Sequence, residues 1–547
     1  MKPRSKSAAC AAGALIVVFA LAARIWGSFI GLPHEFLPDE RGKVETAVRL
    51  GEEGFRHAGS QPGFLYGSLW AVYRITEPIL PALANLRLPA GHSLTGEGQI
   101  APRLWLGRLW LDVLSAATVL VVFYLSNTLA GPGAGLVAAI LLAVNPLSIA
   151  AANYLKEDTP LALWLACTAL ASLALSRSPS ARNALLSGVC AGLAAGSKYT
   201  GAFAAALAAA ALIQIREREP GSQQPRRGQL VAWTVGGAIL ALAASTPSLL
   251  LAPTEIARGI RYQAQYATTG HHDGISLPLT DTLGVLYLRE ALLPSLGTPA
   301  LLVTLVGLAA LWKRDRTGAV VLALASLAFL AVVEVLPAKP YPFFARYALP
   351  AMAPLCALAG IGTSVSATHL SAVFPRYKRA LHCAVVLLVL GLPVVRGIRF
   401  VWSMYPDTRD EAADWLVEHV PAGSVVMTTP YGLLLPRGRY WVQMIDSEAG
   451  VRKILERQRQ PVSIVLSSFT TQRFAENPKD NPPVTQLYRW LESEAHEVAT
   501  FSPTGPRFGF YNPSIRILQS SPAPTSERRS SSNPANAPTA STESTRR

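Results

Sequence analysis

Stretches of about twenty apolar residues recur along this chain from the N-terminus to about Val395 and then stop. As a helix, a run of that length crosses the ~30 Å hydrocarbon core of a bilayer. Lipid leaves backbone groups no partner but one another, so the spanning elements are helices or a closed barrel. The chain therefore reads as a polytopic α-helical membrane protein followed by a water-exposed portion. Composition agrees, with half of the 547 residues hydrophobic and only 15% charged, against roughly 25% in a soluble protein. The net charge of +15 falls mostly in short loops between apolar runs, where it has a topological meaning. No basic helix with interleaved aromatics accompanies it, which sets nucleic acid aside. Cys10, Cys167, Cys190, Cys356 and Cys383 all lie in apolar runs and read as small buried hydrophobes.

The runs place about eleven transmembrane helices at 8–30, 104–129, 133–151, 159–176, 184–197, 200–215, 229–250, 296–312, 318–336, 347–365 and 381–395. Residues 1–25 also fit a signal peptide, with basic "KPRSK" before an apolar core. The apolar stretch continues to Leu32, however, interrupted only by Arg24, which is expected to snorkel outward. A retained first helix is the better reading. Basic clusters at Lys2–Lys6, Arg177–Arg182, Arg216–Arg227, Lys313–Arg316 and Arg376–Arg379 then share the cytoplasmic side. That distribution requires two helices meeting near Lys198 rather than one long helix over 184–215.

The loops left on the outer side carry the unusual charge. The first, 31–103, contains "GFLYGSLWAVYRI", an interfacial helix too short to span, and "LPDERG", with Asp39 and Glu40 just past a span end. The second, "NYLKEDTP", places Glu157 and Asp158 where a helix begins. Asp158 there is equally suited to capping the helix and complementing its dipole. Arg103, Lys198 with Tyr199, Lys339 and Arg346 rim the same face. Each suits a snorkelling role, but together beside two acidic pairs they suit a phosphate held next to carboxylates. His271 and His272 in "TTGHHDGIS" are candidates for a substrate-covering loop. Adjacent histidines point apart, so a metal there is disfavoured.

The order of "PDE", "APRLWLGRLWLDVL", "NYLKEDTPLALWLA", "GLAAGSKYTGAF" and "FFARYALPAMAPL" resembles the GT-C membrane glycosyltransferases of the protein O-mannosyltransferase and aminoarabinose-transferase type, over about residues 8–400. The resemblance implies an enzyme that transfers a sugar from a polyprenyl-phosphate donor to a protein, lipid or glycan, outside the cytoplasmic membrane. It implies catalytic roles for Asp39, with Glu40 beside it, and for Asp158, and phosphate-binding roles for Lys198 and Arg346. Some relatives involve a divalent metal near the first acid, which this sequence neither requires nor rules out. The first loop lacks the family's His-Pro, and the absence of Trp-Trp-Asp argues against the oligosaccharyltransferase relative.

Beyond 400 the composition turns globular. An amphipathic helix at 409–419, strands near "SVVMTT", "VSIVLSS" and "SIRILQ", and a helix near "VTQLYRWLESEAHEV" make a small α/β extracytoplasmic domain over 401–516. Residues 517–547, rich in Ser, Pro, Thr and Ala, read as a disordered tail. The domain order is then a catalytic membrane part at 1–400, the α/β part and the tail. Alternatives to a transferase are a transporter or flippase, which needs ionisable groups near mid-bilayer, and a scaffold. Arg24, Arg108, Asp112 and Glu334 are the main charges within the runs, all placed towards predicted ends, and a scaffold leaves the outer charge clusters unexplained.

Overall fold

Proline and glycine set where many of these helices begin and end. The computed structural model describes residues 3–34, 36–56, 61–86, 94, 100–215, 225–269, 279–337, 345–429, 432–436, 438–458, 460–476, 482–505, 508 and 511–520. Helix α1 (Pro3–Gly27) is followed by two short loop helices, α2 (Glu40–Arg49) and α3 (Phe64–Thr76). The second is the expected interfacial helix, with Leu65, Tyr66, Leu69 and Tyr73 buried. Helix α4 (Ile100–Ala130) stops at Gly131, whose φ of 87° suits glycine, and Pro132 opens α5 (Pro132–Ala143). Proline fits there because the first turn has no use for its missing N–H. Asn145 caps α6 (Pro146–Ala152) by accepting from the Ser148 N–H at 2.9 Å, and α5 and α6 meet at 58°.

Next come α7 (Asp158–Arg177) and α8 (Ala181–Ser197). Lys198 is extended, and a 3-10 turn over Tyr199–Phe203 leads into α9 (Ala204–Gln214). The break expected near Lys198 is therefore real. The remaining long helices are α10 (Arg227–Ser245), α11 (Pro253–Thr269), α12 (Leu293–Arg314), α13 (Arg316–Val335), α14 (Leu349–Val373) and α15 (Lys378–Trp402). Each of the eleven expected runs falls on a helix. Among the described residues, seven helices are long and apolar enough to span alone, and the bent α5–α6 pair makes an eighth. The runs on α8 and α9 fall on shorter helices of 17 and 11 residues, and the chain is a multi-pass membrane protein.

The core forms around α14, buried almost continuously from Leu349 to Thr363. Small residues let the backbones approach closely. A Cβ on Gly188 of α8 would lie 1.9 Å from the Thr234 carbonyl oxygen of α10, and one on Gly192 2.3 Å from that of Ala238.

Two charged positions depart from expectation. Arg24 does not snorkel; it is wholly buried. It donates to Ser115 Oγ (2.7 Å), Ser148 Oγ (3.0 Å) and the carbonyls of Ala20, Leu142 and Ala143. A guanidinium has five donors to satisfy, and here neighbouring helices meet that need, so no route to water is required. Asp112 is not at a helix end either. It lies twelve residues into α4, about 18 Å along it, and is fully buried.

The C-terminal part contains α16 (Thr408–His419), α17 (Glu448–Arg457) and α18 (Pro482–Glu494). With them is a five-stranded sheet: β1 (Val425–Thr428), β2 (Trp441–Met444), β3 (Ser463–Ser467), β4 (Ala495–Phe501) and β5 (Ile515–Ser520), in the order β2-β1-β3-β5-β4. β1 pairs parallel with β2 and β3, while β5 runs antiparallel to β3 and β4. Two strands were not anticipated. β2 is exposed throughout and so lacks a period-two signal, and β4 takes over "AHEV" from the expected helix. Residues 517–520, assigned to the tail, belong to β5; residues 521–547 lie outside the described residues. Tyr511 Oη donates to the Ala150 carbonyl at 2.7 Å, Phe508 packs edge-on against Phe400, and the Arg409 guanidinium lies 4.0 Å from the Phe36 ring centre. The C-terminal part is thereby seated on the end of the bundle that carries the acidic loops.

Candidate active site

Three consecutive charged residues before and at the start of α7 each bind a different part of the molecule. Lys156 pairs with the Asp39 carboxylate. Glu157 accepts from Lys43 of α2, whose ammonium also donates to Tyr66 Oη of α3 at 2.8 Å. Asp158 accepts from Lys198 Nζ at 2.8 Å and lies 3.2 Å from Arg346 Nε. As the helix begins, successive side chains diverge by about 100°, so one tripeptide can address the first loop, the α8 end and the turn before α14.

Glu40 has a different setting from its neighbour Asp39. Its carboxylate receives Arg108 Nη2 at 2.6 Å, Arg108 Nε at 3.1 Å and the Leu155 N–H at 2.9 Å. Both side chains are wholly buried, and Arg108 Nη1 donates to the Ser28 and Ile30 carbonyls. The pair ties α2, α4, the end of α1 and the second loop together. Asp39 instead has a side chain 65% exposed and a φ of 67°. The left-handed conformation costs a residue with a Cβ about 1 kcal/mol or more, and surrounding structure must hold it there. On one flank the Glu40–Arg108 pair does so; on the other, Tyr154 Oη donates to the Pro38 carbonyl at 2.9 Å.

The charges set one another's protonation. Partial burial would raise the Asp39 carboxyl, but Lys156, Lys43 and Arg346 outweigh it and hold the group below its ordinary value. For Glu157, burial is likewise overcome, by Lys43 and Lys156. Burial, then repulsion from Arg346 and Lys43, pushes Lys156 down to about 8. Lys43 moves the other way, since Glu157 and Tyr66 more than offset its burial. The linked cluster of Asp39, Glu157 and Asp158 with Lys43, Lys156, Lys198 and Arg346 has one more cation than carboxylates. Tyrosine rings hold the cations from beneath. Lys198 lies 4.3 Å from the Tyr347 ring centre, Lys156 5.2 Å from that of Tyr154, and Arg346 between the two rings.

Of the residues singled out in the sequence, Asp39, Glu157, Asp158, Lys198 and Arg346 come together, with Glu40 buried behind them. Tyr199 stands near Tyr66 with its hydroxyl buried and unpartnered. Arg103 lies apart from the linked cluster, beside Tyr73, with its Nε buried and unpartnered. Lys339, His271 and His272 lie outside the described residues. Sequence reasoning passed over Lys43, Tyr66, Arg108 and Lys156. Lys156 stood inside the quoted "NYLKEDTP", and Lys43 lies one helical turn beyond Asp39, so both had a local signal. Arg108 stood out only as a charge within an apolar run, and Tyr66 had no signal.

A divalent metal near Asp39 does not fit these residues. Among the described residues no three His, Cys, Asp or Glu side chains converge as ligands, and the groups acting on Asp39 are Lys156, Lys43 and Arg346, which repel a dication.

Residues 93–249 match the family model described as dolichyl-phosphate-mannose-protein mannosyltransferase. No curated protein matches the chain. Among solved structures, ArnT from Cupriavidus metallidurans in the apo state is similar at 14% identity and a TM-score of 0.48, covering 93% of this chain and 98% of that one. The oligosaccharyltransferase AglB from Archaeoglobus fulgidus, in complex with an inhibitory peptide and a dolichol-phosphate, aligns at 12% identity and a TM-score of 0.48, over 93% of this chain and 74% of that one. The S. cerevisiae Pmt1-Pmt2 complex bound to the sugar donor aligns at 16% identity and a TM-score of 0.32, over 46% and 34%. The matched stretch, residues 93–249, carries Arg103, Arg108, the Lys156–Asp158 tripeptide and Lys198, and over it the chain is similar to the dolichyl-phosphate-mannose-protein mannosyltransferase family.

Proposed function

We propose that this protein transfers a sugar from a polyprenyl-phosphate donor to a hydroxyl-bearing protein, lipid or glycan acceptor, on the outer side of the cytoplasmic membrane. The observation that carries the reading is the exposed Asp39 carboxylate, kept ionised within a cluster that has one cation in excess. A phosphodiester donor brings one negative charge, and that excess suits it. Lys198 and Arg346, both ion-paired with Asp158, are the donor-phosphate ligands, with Lys156 beside them.

Asp39 takes the proton of the acceptor hydroxyl, and the oxygen forms a bond to the anomeric carbon. The bond from that carbon to the phosphate oxygen breaks, and its electron pair stays on the carrier phosphate. Direct displacement inverts the anomeric centre. A positioned carboxylate base supplies roughly 10²–10⁴ in rate, and fixed cations stabilise the departing charge. Glu40 serves by placement, holding Asp39 in its unusual backbone conformation.

The test is release of carrier phosphate by purified protein in nanodiscs, supplied with a panel of polyprenyl-phosphate sugars and followed by mass spectrometry. Asp39→Asn should lower release by at least ~10²-fold while the thermal unfolding midpoint stays put. Equal release by the variant would rule out Asp39 as the base. Absence of release with every donor, from folded protein that still binds polyprenyl phosphate, would overturn the transferase reading.

A further inference from the structure

A cavity of about 480 Å³ lies between α12, α15 and the C-terminal part, with Arg289 and Arg396 in its lining and no carboxylate among the described lining residues. We propose that it is a second anion site, which takes the phosphate headgroup of a membrane phospholipid distinct from the sugar donor. The proposal does not rest on the transfer chemistry.

The cavity falls within the range typical of ligand pockets, roughly 300–1,000 Å³. Arg396 Nη1 donates to the Leu293 and Pro294 carbonyls at 2.6 and 3.2 Å. Those bonds fix the arm, while Nε and Nη2 make no hydrogen bond among the described residues. Arg289 is two-thirds exposed and pairs with the adjacent Glu290; the two arginines and that glutamate together sum to one positive charge. The Nε–Nη2 edge of Arg396 suits a phosphate, which it can contact in bidentate fashion, and Arg289 adds its charge from the facing element. The helix breaks at Gly297, with φ 75°, and a Cβ there would meet Leu392 at 3.0 Å and approach Arg396 at 3.8 Å. Glycine therefore keeps the floor of the cavity open. Phe508, edge-on to Phe400, closes the side towards the C-terminal part.

The surroundings select a lipid over a free anion. A π-turn over Leu288–Leu292 carries Arg289 outward, while Ala291 and Leu292 are buried. Leu302 and Leu305 on α12 and Leu388 and Val395 on α15 are exposed, which is the surface a membrane helix presents to acyl chains. A cationic cavity next to an acyl-chain surface matches a ligand that is anionic at one end and apolar at the other.

The experiment is native mass spectrometry of the full chain in detergent, titrated with phosphatidylglycerol, phosphatidylcholine, polyprenyl phosphate and inorganic phosphate. Phosphatidylglycerol should be retained over phosphatidylcholine, roughly tenfold less by Arg289→Gln, and not at all by the cavity-filling Thr298→Trp. Asp39→Asn should retain it like the parent, which separates this site from the transfer reading. Equal retention of the two lipids, or retention unchanged in both cavity variants, would overturn the proposal. So would displacement by polyprenyl phosphate, which would make the cavity part of the donor site. Phosphate that phosphatidylglycerol cannot displace would overturn the lipid assignment.

Discussion

Lys156 is the residue on which the acid–base balance of the site turns. Its ammonium pairs with Asp39 and is pushed down to about 8 by burial, Arg346 and Lys43. It is therefore charged below that pH and neutral above it. Asp39 lies below its ordinary value, so the proposed base stays ionised into mild acid. Transfer should then fall on the alkaline side with an apparent pKa near 8, as the cation that faces carboxylate and phosphate is lost. Lys156→Arg should move that alkaline limb upward, because a guanidinium does not titrate there; a pH profile of kcat/KM checks both. An unmoved limb would assign the titration to another group. The tripeptide Lys156–Asp158 was visible as a motif, but only its acids drew attention, since chemistry was sought in carboxylates. Glu40 shows the reverse. Next to Asp39 in sequence, it looked like a second catalytic acid, and only the distant Arg108 reveals that its oxygens are fully engaged.

Among the elements, α8 matters because it ends at Lys198. Its contact with α10 depends on Gly188 and Gly192, where backbone carbonyls of α10 occupy the space a side chain would need. Gly192→Leu should splay the two helices, cost about 1–3 kcal/mol of stability through overpacking, read as a lowered unfolding midpoint, and draw Lys198 away from Asp158. Donor KM should rise in consequence, whereas Gly236→Leu, on the open side of α10, should change neither. Measured KM and midpoints for the two variants decide it. Helix positions were legible because apolar length and the Gly and Pro breaks are local properties. Less legible were the spans themselves: α8 and α9 have only 17 and 11 residues, short of the roughly 20 that cross a bilayer alone. The exposed strand β2 was invisible for the same reason that edge strands often are. None of its residues faces a core.

For the molecule as a whole, the C-terminal part is mechanically joined to the first loop. Arg409 makes paired bonds to Asp407 at 2.8 and 2.7 Å, both buried, and lies against Phe36 three residues before Asp39. Arg409→Leu leaves a buried carboxylate unpaired and should cost about 3–5 kcal/mol, read as a lowered midpoint. It should also loosen the backbone that presents Asp39, lowering kcat more than it alters donor KM. A fall in stability with kcat intact would mean the contact serves only to dock the domain. The turn that holds Asp39 is thus braced from three directions, by α4, by the second loop and by the C-terminal part.

The partnership of Lys156 has a further consequence once the reaction is followed as a movement of charge. In the proposed transfer Asp39 becomes neutral as it accepts the acceptor's proton, and the carrier phosphate gains the negative charge that Asp39 gave up. The total within the cluster is unchanged, but its centre shifts from the first loop towards Lys198 and Arg346. Lys156, close to both Asp39 and Arg346, then loses its counterion at the moment a new anion forms nearby. Turnover becomes an exchange of partners by one lysine, and regeneration of the enzyme is the return of that lysine to Asp39 as the carrier leaves.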